Sequence, residues 1–171
     1  MSFIDDAIRT KSDQFHGDKV GLAYTLDILN DLICAGNDLD KIKKKLFYNK
    51  GDTKDFLGEM ELPVPNEYSA QEIDIIHAIL GIITESVELA EALYAFMDHN
   101  EGPGNFDIPN LKEENGDIFW YQAILAKAGG FTFEEIQDTV IAKLKHRYPD
   151  KFTSEKAIDR DLDGKRKILE S

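Results

Sequence analysis

Two pairs of acidic residues share one spacing in this chain: Glu85-x-x-Glu88 within TESVELAEAL, and Glu114-x-x-Asp117 within KEENGDIFWY. On a helix, carboxylates three positions apart lie about 60° apart around the axis and reach toward one point. A helix through 111–128 sets Leu111, Ile118, Tyr121, Leu125 and Ala128 on one stripe, and Glu114 and Asp117 fall inside it. Holding ionised carboxylates against a core is costly, and four of them from neighbouring helices also repel one another. A divalent cation answers both difficulties. Mg²⁺ takes hard oxygen ligands, keeps some of its waters and shares remaining positions with substrate phosphates.

The ordinary account of acidic helix residues is a solvated face laced with i,i+4 ion pairs. Between Lys54 and Lys112 the chain has no lysine or arginine, so Glu85, Glu88 and Glu91 have no cation on their own helix. The small residues Ala78, Gly81, Ala92 and Ala95 flank Glu85 and Glu88, which implies that another group approaches the backbone there. For Glu114 and Asp117 the ordinary account is a buried pair answered by distant arginines or by protonation.

The elements that must position these residues read as helices almost throughout. Apolar spacing predicts helices over 3–15 and 19–35, punctuated by Gly17 and Gly36, and a shorter one over 38–48, opened by Asp38 and ending near Asn49-Lys50-Gly51. Residues 51–68 read as loop, with Pro63, Pro65 and Asn66 as turn residues. Ser69 with Glu72 forms a capping box for a helix running to about Asp98, and residues 100–106 read as a loop. A helix over 108–128 stops at Gly129-Gly130, and one over 132–147 opens at Thr132 and ends before Pro149. A last charged helix starts at Thr153 or Ser154 and reaches about Leu169. The expected fold is all-α, a single domain (1–171) built as a bundle around two long antiparallel helices carrying E-x-x-E and E-x-x-D. Residues 1–68 form a variable helical region and 69–171 the core.

Composition bounds the partners. The chain has 171 residues, 42% hydrophobic and 31% charged, the mix of a globular protein. A formal net charge of −13 argues against binding a nucleic acid polymer. The single cysteine, Cys34, sits in an apolar run and reads as a buried, inert thiol. No segment reaches the length of a membrane span, and the N-terminus lacks a signal-peptide pattern, so the expected location is cytoplasmic.

Three stretches, HAILGIITESVELAEAL, LKEENGDIFWYQAIL and IAKLKHRYPDKFTSEKAIDRDLDGKRKILE, resemble the MazG-like all-α nucleoside triphosphate pyrophosphohydrolases over roughly residues 72 to 171. The resemblance implies that Glu85, Glu88, Glu114 and Asp117 bind Mg²⁺, with Mn²⁺ able to substitute. It implies hydrolysis of a nucleoside triphosphate to the monophosphate and pyrophosphate, by a homodimer or higher homo-oligomer. The KLKHRYP element implies phosphate contacts from Lys143 and Arg147, with Lys145. Lys143 and Arg147 share one helix face at i,i+4; a solvated helix end that favours the dipole is the ordinary alternative. Val140 stands where an asparagine is expected. The segment KKLFYNKG, 44–51, resembles an element expected between the acidic motifs but lies upstream of both.

In such an enzyme Glu85 or Glu88 would orient or deprotonate the attacking water. Phe15, His16, Trp120 and Tyr121 are candidates for a base pocket, against the commoner role of such residues in packing. Two other classes remain open: a ferritin-like carboxylate protein, for which the Glu-x-x-His motifs are missing, and a non-catalytic helical adaptor with a residual metal site.

Overall fold

The computed structural model describes residues 2–56, 64–65, 67–98, 105–158 and 166. Most of the expected 100–106 loop, Pro63, Asn66 and nearly all of the last helix beyond Ile158 lie outside them. The described residues form six α-helices and no strand. They fall in two compact units, one of Asp18–Gly130 and one of Met1–Gly17 with Phe131–Ser171.

The first of these units is a three-helix antiparallel arrangement: α2 (Leu22–Tyr48), α3 (Ala70–Met97) and α4 (Ile108–Gly129). α3 packs against both others. Its direction relative to α4 follows from paired contacts. Gln71 at its start bonds the Ala128 carbonyl (2.7 Å), Gly81 meets Tyr121, and Phe96 near its end stacks on Phe106 (4.2 Å between centroids). α2 runs antiparallel to α3 as well, Gly36 lying on Val87 and Phe47 on His77.

Local chemistry sets the ends. Ser69 and Glu72 make the expected reciprocal capping box on α3. Asp107 accepts from the Asn110 amide at the start of α4, with Pro109 in the first turn, and Gly130 (φ 72°) closes it in the left-handed conformation. Asn49 (φ 51°) ends α2, and the Lys50 amide reaches back to the Lys44 carbonyl (3.2 Å).

Two expectations about this region are corrected. α2 is one helix of 27 residues, not two broken at Gly36. Gly36 is interior because α2 and α3 cross there: a Cβ would stand 2.3 Å from a Val87 methyl. Glycine here serves closeness, and Asp38 caps nothing. Cys34 is exposed, not buried. Ile33 and Gly36 turn inward, and Cys34, about 100° from Ile33, faces outward. The group that approaches the small residues of α3 is the chain's own: the Tyr121 ring covers Gly81, and Ala78 and Ala90 are core.

In the other unit α1 (Phe3–Ile8) packs against α5 (Phe133–Arg147), and α6 spans Ser154–Ile158. α1 is shorter than the expected 3–15. The Thr10 hydroxyl and amide both donate to the Ala7 carbonyl (3.0 and 3.2 Å), which ends the helical ladder. Thr132 and Glu135 form a capping box on α5, and Tyr148 is buried beside Phe152.

Candidate active site

α3 and α4 face each other with their carboxylates level. Glu85, Glu114 and Asp117 each offer one oxygen, and the three lie within 4.8 Å of one another. Glu85 and Glu114 are only 8% and 7% exposed, while Asp117 stands at the solvent edge. Asp117 therefore does not share the inward stripe expected for it; its rotation around α4 past Glu114 and Tyr121 places it at the margin. Glu88 is exposed and hydrogen-bonded to Glu114.

The electrostatics follow from this crowding. Burial, then the Glu88 charge and hydrogen bond, push the Glu114 carboxyl up to about 7, so it donates to Glu88 when protonated. Burial and the Glu85 charge also raise Glu88, its hydrogen bond with Glu114 working the other way. An all-oxygen donor set of this size, partly dry and open on the Asp117 side, fits Mg²⁺ or Mn²⁺.

A cation that the motif spacing does not announce completes this cluster. Lys43 of α2 is 4% exposed, and its Nζ donates to Thr84 Oγ1 (2.7 Å) and lies 3.2 Å from Asp40 Oδ1 and 3.3 Å from Glu85 Oε1. It also sits 5.3 Å from the Tyr121 ring centroid. Burial alone would depress its pKa; the Asp40 hydrogen bond, with Tyr121, Glu85 and Asp40 as charges, outweighs this and raises it. Glu91 likewise receives a hydrogen bond from Asn37 of α2 (3.2 Å). The lack of cations on α3 is thus made good from α2. A signal for Lys43 exists in the sequence: Ile33, Gly36, Asp40, Lys43 and Phe47 recur at helical spacing.

One to two turns along from the carboxylates is an aromatic cluster. His77 stacks on Phe47 (4.0 Å), accepts or donates one hydrogen bond with the Tyr48 hydroxyl (3.2 Å), and meets Tyr121 and Trp120 edge-on at 5.5 and 6.3 Å. Burial and then the Lys43 charge hold the His77 pKa below its ordinary value. Phe47 also lines an apolar recess of about 250 Å³ with Tyr68, Ile73 and Ile76. The KKLFYNKG element thus reaches the motif helices in space although it precedes both in sequence. Of the four base-pocket candidates, Trp120 and Tyr121 lie in this cluster; Phe15 and His16 are exposed residues of the other unit. Lys143, Lys145 and Arg147 also belong to that unit, on α5, with Arg147 5.8 Å from the Tyr148 ring.

The fold and the cluster define an all-α protein with a carboxylate site between two antiparallel helices. Residues 75–152, from within α3 to just past α5, match the MazG nucleotide pyrophosphohydrolase domain. The chain matches no curated protein and no solved structure. No described helix is long and apolar enough to cross a membrane.

Proposed function

We propose that the protein is a Mg²⁺-dependent nucleoside triphosphate pyrophosphohydrolase, releasing a monophosphate and pyrophosphate. The observation that carries this reading is the meeting of Glu85, Glu114 and Asp117 oxygens inside the family-matched segment. Glu85, Glu114 and Asp117 hold the cation, with Glu88 beside them. When bound, the cation would supply a coordinated water of lowered pKa and positive charge facing the phosphate oxygens.

The chain's own residues divide the remaining work. Glu85 is engaged by Lys43, whereas Glu88 is exposed and has a raised pKa. Glu88 is therefore the better base to take a proton from the attacking water, at its carboxylate oxygen. Trp120, exposed beside the buried Tyr121, takes the base by stacking, and Lys143, Lys145 and Arg147 are the phosphate-binding candidates of the other unit, Lys143 and Arg147 on one face of α5. The enzyme acts as a cytoplasmic homodimer. In support, no large side chain among the described residues is fully buried, and Ile28, Leu32, Ile79, Ile83 and Leu93 of α2 and α3 remain exposed.

The test is pyrophosphate release over a panel of ribo- and deoxyribonucleoside triphosphates with Mg²⁺, using Glu88→Gln and Asp117→Asn as controls. Release from at least one nucleotide, lost in both variants and in EDTA, supports the reading. No release from any, or equal release by the variants, refutes it. Light scattering at micromolar concentration checks the dimer, and a monomer would count against it.

A further inference from the structure

Lys43 lies outside the family-matched segment, on α2, yet its ammonium pairs with Glu85 of the carboxylate cluster. It is held from three sides, by Thr84, Asp40 and Glu85, and capped by Tyr121, so it has no other position to adopt within a packed interior. Asp40 is itself shared, since Lys44 pairs with its other oxygen. The Lys43 charge is therefore shared between Asp40 and Glu85, the latter one of the three residues whose oxygens converge. Only Glu85 Oε1 faces Lys43.

We infer that Lys43 is a positioning residue that acts as a resident counter-cation of the carboxylate cluster, holding Glu85 in place and competing electrostatically with the divalent metal for the same negative charge. Without metal it offsets part of the carboxylate repulsion and keeps α2, α3 and α4 in register. With metal it lowers the affinity of the site, so that a cation is retained best when substrate phosphates add negative charge. This inference rests on reading the cluster as the metal site of a nucleotide pyrophosphohydrolase. A unit positive charge one carboxylate away from a divalent ion weakens its binding by about tenfold, even at the dielectric of water.

The experiment compares the full chain with Lys43→Gln, which keeps hydrogen bonding to Thr84 and Glu85 but loses the charge, and with Lys43→Arg, which keeps the charge. Mn²⁺ affinity is read from the free-ion EPR signal without nucleotide, and thermal melts are run in EDTA and in Mg²⁺. The expected result is a lower melting temperature for Lys43→Gln in EDTA, about tenfold tighter Mn²⁺ binding, and a larger rise with Mg²⁺ than in wild type; Lys43→Arg stays near wild type. Where Lys43→Gln is unfolded in EDTA, recovery of its fold on adding Mg²⁺ supports the inference equally. Mn²⁺ binding by Lys43→Gln equal to or weaker than wild type overturns the inference, as does binding by neither protein or a variant that Mg²⁺ cannot fold. The functional reading fails separately, if wild type binds Mn²⁺ yet releases no pyrophosphate from any nucleotide.

Discussion

The ring of Tyr121 lies against the backbone of α3 at Gly81, so close that a Cβ there would stand 2.2 Å from the ring carbons. Trp120, His77 and Lys43 surround the ring at 4.7, 5.5 and 5.3 Å and leave it no retreat. Gly81→Ala gains about 1 kcal/mol of helix propensity but forces an overpacked crossing that costs roughly 1–3 kcal/mol or more. The clash is severe enough that the loss wins. Chemical denaturation should show net destabilisation, together with a weaker Mg²⁺ response, because the same crossing sets Glu85 level with Glu114 and Asp117. Gly116 supplies the control on α4: nothing lies within 4 Å of its would-be Cβ. Gly116→Ala should stabilise the metal-free protein by about 0.5–1 kcal/mol.

Glu114 gives the site a pH signature. Its folded pKa, about 7, lies above the ordinary value of 4.5 because of burial first and the Glu88 charge second. A carboxyl raised on folding contributes stability that is complete below the ordinary value and is lost as pH rises toward the folded one. The Glu114 contribution in EDTA should therefore fall between about pH 4.5 and 7, and Glu114→Gln should flatten that part of the profile. Mg²⁺ binding in the acid half of that window should release protons, seen as a dependence of the calorimetric heat on buffer ionisation enthalpy. A buffer-independent heat would contradict this.

Much of the architecture was legible because its signals are local. Ser69 with Glu72, Thr132 with Glu135 and Gly129-Gly130 act within a turn of themselves, and they mark the ends of α3, α4 and α5 as expected. What escaped depends on contacts between distant segments. Gly36 reads as a break until Val87 is known to lie on it, and Lys43, in the run KIKKKL, reads as one more solvated lysine until α2 is seen as continuous. The carboxylate spacing was visible; which oxygens converge, with Glu88 set beside the trio and hydrogen-bonded to Glu114, was fixed only by the register of α3 on α4.

Trp120 is the chain's single tryptophan and is 54% exposed beside His77 and Tyr121. If a base stacks there, intrinsic fluorescence should be quenched on titration with the preferred nucleotide in the presence of Ca²⁺, a hard cation expected to support binding. Stacking of one base is worth about 1–3 kcal/mol. Trp120→Ala should accordingly raise KM about tenfold or more while leaving the metal-induced rise in Tm intact. A KM unchanged in the variant would place the base elsewhere.

Asp117 separates a metal ligand from a structural acid. It is exposed, and its oxygen joins Glu85 and Glu114 with no ion pair to a cation among the described residues, in contrast to Glu85 with Lys43. Breaking a buried pair leaves a stranded charge and costs roughly 3–5 kcal/mol; removing an exposed acid from a repelling cluster costs nothing and relieves charge. Asp117→Asn should therefore melt in EDTA at or slightly above the wild-type temperature. A metal that binds the folded state alone stabilises it, so Mg²⁺ should raise the wild-type melting temperature, and this rise should disappear in the variant. Because even outer-shell partners of metal sites are worth about 10–100-fold in activity, pyrophosphate release should fall by at least about a hundredfold. A variant that melts well below wild type in EDTA, or that still rises with Mg²⁺, would show that Asp117 holds the fold and not the metal.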